Sequence, residues 1–376
     1  MKYDYFTIMD EERNHLEEIS KTPRNQLHED MRTTLSPYFR HEPLLDMIIS
    51  NDLFLSEYAF LKRAEQDAVL CRSISEIFKV YNSAIKKSKS DFYRLLASYT
   101  SEVSKAADNC AQMDMITPLE IPPMTKPLIK LVFREMGDFL EGSYQVFSKL
   151  LLSCIYIAEG KDLRKVQIMS FGQCVGELIN RELLVDAYVP KPFGIPLSQW
   201  RNISAHNSYY SDFESEKIVC EFGSKDKKCV DMTLSDLLLF KYRIGQFYNV
   251  HKISHAIMFI AGQGRVLKYK PKLTLNHETI MHQLKEYSCS YGFFPKQPDS
   301  KTTVTRILVS KDEEGGILYP VTDMASDDMP AARANILANK ISSLMKYEKV
   351  TVDVFNRAGL HICKGVCDPN RLAGGI

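Results

Sequence analysis

The sequence predicts a mainly α protein with a helical N-terminal domain, a central four-helix bundle with a short hairpin, and a small α+β C-terminal domain. Apolar residues recur every three or four positions over most of the first 260 residues, which is the period of helices with one buried face. A proline-rich segment at 117–127 interrupts this pattern. Beyond residue 262, short runs typical of strands replace it.

Composition places the chain among ordinary soluble globular proteins. Its 376 residues allow two or three domains, and 45% hydrophobic with 25% charged residues is a usual balance. The net charge of +1 excludes a surface that is positive everywhere. Any binding of a polyanion would therefore need a local basic patch and would depend on salt.

The cysteines and the apolar runs indicate the compartment. Nine cysteines without a dense framework are typical of free thiols in a reducing environment. The N-terminus lacks an apolar signal core. The apolar run 150–158 is shorter than the ~20 residues that cross a bilayer. These features predict a cytoplasmic protein with no membrane partner.

The N-terminal domain is predicted to span residues 1–125. Two short helices, broken near Thr22 and Pro23, precede a helical array over 42–109. Four prolines within 117–127 mark its end, because proline blocks continuation of a helix and restrains the preceding residue.

The central domain is predicted to span 126–262 and to begin with two long amphipathic helices, 127–160 and 163–188. Pro196 can occupy the first position of a third helix, where its missing N–H costs nothing. A hairpin of strands 217–222 and 229–232 follows. Thr233 and Asp236 resemble a capping box that opens a fourth helix ending near Ile260.

The C-terminal domain is predicted to span 263–376 as an α+β unit whose role the sequence does not disclose. Residues 265–272 alternate as in a strand, with three lysines on one side. Further strands are predicted at 302–309, 316–321 and 349–355, and a helix at 328–347.

The stretch 196–210 carries the chemically informative residues Arg201, Asn202 and His206. On an ideal helix Arg201 and His206 project about 140° apart, whereas Asn202 and His206 share a face. Such a helix does not clamp a ligand between Arg201 and His206. It can line one wall of a cleft, with a cation at one edge and an imidazole at the other.

These side chains suit the cleavage of a phosphodiester. A guanidinium stays charged and offers forked donors to phosphate oxygens, and histidine exchanges protons near neutral pH. Cleavage of RNA by its own 2′-hydroxyl needs a base, an acid and positive charge, but no metal. One histidine supplies half of the acid–base pair, so a two-fold dimer that presents two copies would complete the site.

At these residues the sequence resembles the HEPN superfamily, whose nuclease members carry Arg, four to six residues, and then His, commonly with a polar residue after Arg. The run Arg201-Asn202-Ile203-Ser204-Ala205-His206 fits with a four-residue spacer. The resemblance covers about 126–260. It implies a HEPN-like helical bundle, a dimer in which the two motifs face each other, and metal-independent cleavage of RNA without a cofactor.

The resemblance also implies roles for the motif residues. His206 would be the general acid/base, Arg201 would bind the scissile phosphate, and Asn202 would orient the imidazole or the phosphate. A HEPN-type nuclease with large flanking domains resembles the growth-arrest toxins and antiviral defence effectors of abortive infection, which stay silent until triggered. The expected partners are RNA, a second copy in a homodimer or higher even oligomer, and a protein or phage-derived trigger.

Two further groups of residues are candidate ligands. Lys225, Lys227 and Lys228 at the hairpin tip are predicted to contact backbone phosphates, and the alternative is a solvated charged tip. His251 and His255 lie four apart on a predicted helix. Zinc needs three or four ligands, so these two are interpreted as core or surface histidines and no metal site is predicted.

Two alternatives to the nuclease remain. In the first, the same fold is a non-catalytic scaffold or nucleotide-binding module that binds RNA or a partner without cutting, and Arg201 and His206 point apart from any dimer interface. The corresponding interpretation of the motif is a His206 that bonds a backbone carbonyl at a helix end and an Arg201 in a surface ion pair. In the second, the chain is a regulatory subunit whose C-terminal domain senses a ligand or a phage protein.

Overall fold

The computed structural model describes residues 11, 14–15, 18–19, 21–50, 54–116, 124–223 and 226–270, and beyond these two helical residues, 334 and 338, and the strands between 294 and 367. The chain forms two compact units. One contains the described residues from 62 to 270, and the other contains those from 11 to 61 together with the C-terminal strands. The predicted division at 125 and 262 stays a prediction.

The protein is mostly helical, which confirms the predicted mainly α class. The helices are α1 (Arg24–Leu35), α2 (Glu42–Ser50), α3 (Leu55–Ala64), α4 (Ala68–Lys87), α5 (Lys89–Ser98), α6 (Thr100–Ile116), α7 (Lys126–Phe139), α8 (Gln145–Glu159), α9 (Arg164–Gln167), α10 (Phe171–Asn180), α11 (Val185–Tyr188), α12 (Leu197–Ala205), α13 (Leu234–Ala261) and α14 (Gln263–Tyr269). The strands are β1 (Tyr209–Asp212), β2 (Lys217–Phe222), β3 (Lys228–Met232), β4 (Phe294–Pro295), β5 (Val304–Lys311), β6 (Gly316–Thr322), β7 (Met324–Ala325), β8 (Val350–Asn356) and β9 (His361–Cys367).

The core of the first unit lies between long helices of its bundle. Helix α4 packs against α8 and α13, and α7 packs against α12. Lys241 on α13 and Glu135 on α7 form a nearly buried ion pair of 2.6 Å. Because a broken ion pair would leave a buried charge, this contact ties the two helices together.

The predicted helix 127–160 is present, with one modification. Its α7 and α8 segments are joined by a π-helix, Leu140–Tyr144, which continues the same rod. Short π segments within α-helices recur at functional sites. Here the segment carries Glu141, which contacts a predicted site residue.

The prediction of a second long helix at 163–188 is wrong. The chain instead forms three short helices, α9 to α11. Ser170 and Gln173 make a capping box that begins α10, and Glu182 and Leu184 adopt positive φ angles of 54° and 52° after it. Residues in this left-handed conformation cannot continue a right-handed helix.

The three strands β1 to β3 form an antiparallel sheet in the order β1-β2-β3. The predicted hairpin is thus confirmed, and β1 adds a strand that was not predicted. The capping box of Thr233 and Asp236 opens α13 as predicted, and that helix runs to Ala261.

The segment predicted as a strand at 265–272 is wrong where it is described, because residues 263–269 form helix α14. Val266 is buried on its inner face, and the Arg265 guanidinium lies 5.3 Å from the centre of the Tyr93 ring. A short segment in which apolar and polar residues alternate fits the period of a helix as well as that of a strand. The packing of α14 against α5 favours the helix.

The second unit contains helices α1 and α2, part of α3, and an antiparallel sheet of order β6-β5-β8-β9. Strands β5, β6 and β8 confirm the three predictions at 302–309, 316–321 and 349–355, and β9 was not predicted. The helix predicted at 328–347 lies outside the described residues, apart from Ala334 and Ala338, both helical.

Candidate functional site

Helix α12 carries the Arg201–His206 motif and is anchored by its opposite face. Leu197, Trp200 and Ile203 are spaced by three residues and are buried. The Trp200 ring packs against Phe240 of α13 with ring centres 4.4 Å apart. The helix begins at Leu197, with Pro196 before it rather than at its first position. This anchoring leaves Arg201, Asn202 and His206 on the outer side.

The end of α12 is closed by a hydrogen-bonded turn that fixes the position of His206. His206 is the C-cap residue, directly after the last helical residue Ala205, and Asn207 follows with a positive φ of 49°. The Asn207 N–H donates to the Ser204 carbonyl (3.2 Å) and the Ser208 N–H to the Ile203 carbonyl (2.9 Å). These two bonds define a Schellman motif, in which asparagine tolerates the left-handed conformation.

Arg201 is half-buried, and its guanidinium is held by two neighbours. Its Nε donates to the Glu141 carboxylate, which also forms an ion pair with Nη2, and its Nη1 donates to Asn202 Oδ1 at 3.2 Å. A guanidinium has five N–H groups, so these contacts occupy only part of its capacity. With 37% of the side chain exposed, the remaining donors can reach a ligand.

His206 is exposed. Among the described residues its imidazole has no hydrogen-bond or ion-pair partner, and its backbone N–H donates to the Asn202 carbonyl at 3.0 Å. The alternative in which this imidazole bonds a backbone carbonyl therefore finds no such bond within the described part of the chain. Arg201 does form an ion pair, with Glu141, as the same alternative predicted.

Helix α7 runs antiparallel to the motif and lies directly against it. The Ser204 hydroxyl donates to the Phe133 carbonyl at 2.6 Å, and a Cβ on Gly137 would meet that hydroxyl at 2.2 Å. The Phe133 ring stacks on Tyr209 of β1 at 4.1 Å. Gly137, which has no side chain, thus allows α12 to lie close against α7. In the sequence, His206 lies between Ser204 and Tyr209, the two residues that contact Phe133.

Two of the three predicted phosphate-binding lysines, Lys227 and Lys228, lie where the turn between β2 and β3 enters β3. Lys225 is outside the described residues, and Lys227 pairs with Glu221 at 3.3 Å and is 75% exposed. Lys228 is exposed and opposes Phe222. The Glu221 N–H donates to the Ser208 carbonyl at 2.8 Å, so the tip lies at the end of the sheet where α12 ends. Their proposed contact with phosphate stays a prediction.

His251 and His255 are core histidines, as one of the two interpretations held. Both are buried on α13, where the Phe147 ring packs against each of them. Burial lowers the pKa of His251 to about 3 and that of His255 to about 4. Both rings are therefore neutral at physiological pH and belong to the core rather than to the motif.

Two features of the site were missed from the sequence. Glu141 lies sixty residues before Arg201, a separation that local patterns cannot bridge. Asn207 had an available signal, because asparagine after the last helical residue is typical of a left-handed helix end.

Over the part of the chain that the structure describes, no three His, Cys, Asp or Glu side chains gather as metal ligands. Among the same residues, no helix combines the length and apolarity needed to cross a membrane. Comparison of the chain with protein-family models, with curated proteins and with solved structures finds no match.

Proposed function

We propose that the protein is a metal-independent endoribonuclease whose site combines Arg201, Asn202 and His206 from two copies of the chain. The observation that carries the proposal is the arrangement of α12. A buried face holds the helix, while its guanidinium and its imidazole remain accessible at a rigidly capped end. Growth arrest or antiviral defence is the biological role that accords with the HEPN resemblance.

The roles follow from the chemistry of each group. His206 of one copy takes the proton of the attacking 2′-hydroxyl, and the same residue of a second copy protonates the leaving 5′-oxygen. Arg201 binds the non-bridging oxygens, where negative charge grows as the new P–O bond forms and the old one breaks. Asn202 orients the guanidinium through its Oδ1, and the products are a 2′,3′-cyclic phosphate and a 5′-hydroxyl.

A non-catalytic RNA- or partner-binding scaffold is the second candidate. The ion pair between Arg201 and Glu141 favours it, because that carboxylate competes with a phosphate for the guanidinium. The regulatory-subunit alternative depends on the C-terminal domain, for which no motif suggests a ligand.

Replacement of His206 by alanine tests the proposal. Because the imidazole is exposed, His206→Ala should leave the thermal unfolding unchanged and lower the rate of RNA cleavage by about 10²–10⁴-fold. His41→Ala removes another exposed imidazole, one whose Nδ1 accepts a hydrogen bond from the Leu44 N–H at the start of α2 (3.2 Å), and as the control it should cleave normally even where this lost contact lowers its thermal stability.

The assay uses the purified full chain, labelled single-stranded RNA and excess chelator, with analysis of the product ends. Cleavage by His206→Ala at the rate of the parent would refute the assignment. RNA binding by the parent without any cleavage would favour the scaffold.

A further inference from the structure

A row of basic side chains on α7 lies beside the motif. Lys126, Lys130 and Arg134 are spaced by four residues, and all three are exposed. Residues four apart are offset by about 40° around a helix and by about 6 Å along it. They therefore form one continuous strip, which we call the basic stripe.

Contacts along α7 show where the stripe runs relative to the motif. Glu141 contacts Arg201, Gly137 approaches Ser204, and Phe133 contacts both Ser204 and Tyr209. Further towards the start of α7, the Lys126 ammonium lies 5.9 Å from the centre of the Phe213 ring. The chain from 201 to 213 thus follows α7 in the opposite direction.

This alignment places the stripe on the side of α7 that faces the motif. On an ideal helix Lys130 and Arg134 lie within about 60° of the direction of Gly137, whose Cβ position points at Ser204. His206 falls between Ser204 and Tyr209, at the level of Phe133 and Arg134. The basic groups of α7 and the imidazole consequently border the same strip of surface.

The stripe is available to a polyanion. Within the described residues Lys130 has no ion-pair or hydrogen-bond partner. Arg134 has only Asp138 at 3.8 Å, with both side chains more than 70% exposed. Such an exposed pair holds its charges weakly and yields to a phosphate. Phe213, 45% exposed beside Lys126, offers a ring face at the far end.

We propose that the basic stripe binds the backbone of single-stranded RNA and leads it to His206. From Arg134 back to Lys126 the helix rises about 12 Å, which accommodates about three phosphates at the spacing of the stripe itself. Cations that follow a backbone beside an exposed aromatic ring are the usual elements of sequence-tolerant binding to single strands. This inference rests on the proposed function and names the surface that holds its substrate.

The test measures binding of a fluorescent single-stranded RNA to the full chain carrying His206→Ala, which prevents cleavage during the titration. Lys130→Gln with Arg134→Gln should weaken binding by about tenfold or more at low salt and reduce the slope of log K against log salt by about 1.4, the loss of two phosphate contacts. Lys130→Arg with Arg134→Lys, which keeps both charges, should restore most of the affinity.

The matched control is Lys86→Gln with Lys87→Gln, which removes the same charge from two exposed lysines at the end of α4. It should bind as the parent does. If the two pairs of substitutions weaken RNA binding equally, or if the stripe pair does not weaken it, the proposed role of the basic stripe is overturned. Cleavage of RNA by the unmodified chain would in that case still support the nuclease. If the parent neither binds nor cleaves RNA, the proposed function fails and the stripe fails with it.

A second measurement separates substrate binding from chemistry. In the active chain Lys130→Gln alone should raise KM for cleavage with little change in kcat, because Lys130 lies one helical turn beyond Arg134 and the level of His206, where it holds a nucleotide away from the scissile bond. A fall in kcat with an unchanged KM would contradict the placement.

Discussion

Asn207 holds the position of the proposed catalytic imidazole, although it carries no chemistry itself. Its φ of 49° turns the chain out of α12, and its N–H satisfies the carbonyl of Ser204. The Tyr209 hydroxyl lies 3.4 Å from its Oδ1, which links the turn to the ring stacked on Phe133. The orientation of His206 thus depends on a single left-handed residue.

Substitutions at Asn207 should separate conformation from side-chain chemistry. Glycine adopts a positive φ without strain, so Asn207→Gly should retain both stability and most of the cleavage activity. Asn207→Val places a β-branched residue there at a cost of about 1–2 kcal/mol and should lower kcat by displacing His206.

Chemical denaturation and cleavage kinetics of the two variants provide the measurement. Loss of activity in both variants alike would show that the amide, rather than the backbone conformation, is required.

At the scale of elements, the sequence predicts those helices and strands whose signals are local. The capping box at Thr233 and the apolar period before residue 160 lie within single segments, and both predictions are confirmed. The break at residues 168–170 has the same kind of signal, a capping box of Ser170 with Gln173, but the apolar period continues across the break and conceals it. For α14, packing on Tyr93 decides between two periods that a short segment cannot distinguish.

In the candidate site, too, some residues can be predicted from local sequence and others cannot. Arg201, Asn202 and His206 lie within six residues of one another, so their spacing can be read directly from the sequence. Glu141 and the basic stripe reach them only through the packing of α7 against α12. Contacts between residues so distant in sequence depend on tertiary structure that no local pattern contains.

Helix α13 makes the stability of the bundle depend on pH. The pKa values of about 3 for His251 and about 4 for His255 lie below the ~6.5 of an unfolded chain. As the pH falls, the two histidines therefore become protonated in the unfolded chain while they remain neutral in the folded chain. The free energy of unfolding should be largest above about pH 7 and should fall by about 1 kcal/mol per pH unit for each histidine between pH 6 and pH 4.

Urea denaturation of the full chain at several pH values measures this slope. His255→Phe removes one titrating group and should make the slope smaller. Phe240→Leu, a change at a buried ring of α13 that packs on Trp200 away from the two histidines, should lower the stability at every pH and keep the slope. An unchanged slope in His255→Phe would show that this histidine is not the source.

At the scale of the whole molecule, the proposed chemistry needs more than one chain. General acid and general base catalysis at one phosphodiester use two proton-transfer groups, and each chain supplies one exposed imidazole in the motif. A two-fold axis beside α12 would bring a second His206 to the same cleft, since a two-fold interface pairs identical surfaces. The dependence of activity on subunit composition therefore tests this requirement directly.

Mixed oligomers of the unmodified chain and His206→Ala, produced by co-expression, distinguish a shared site from independent ones. If each site requires His206 from both copies, activity per total protein should follow the square of the unmodified fraction, and an equal mixture should retain about a quarter of the activity. Independent sites would retain about half. Dilution should also lower the specific activity of the unmodified chain as the oligomer dissociates, with the mass in solution followed by light scattering. A linear dependence on the unmodified fraction, with activity that persists in the monomer, would place both proton transfers within one chain and remove the need for a symmetric site.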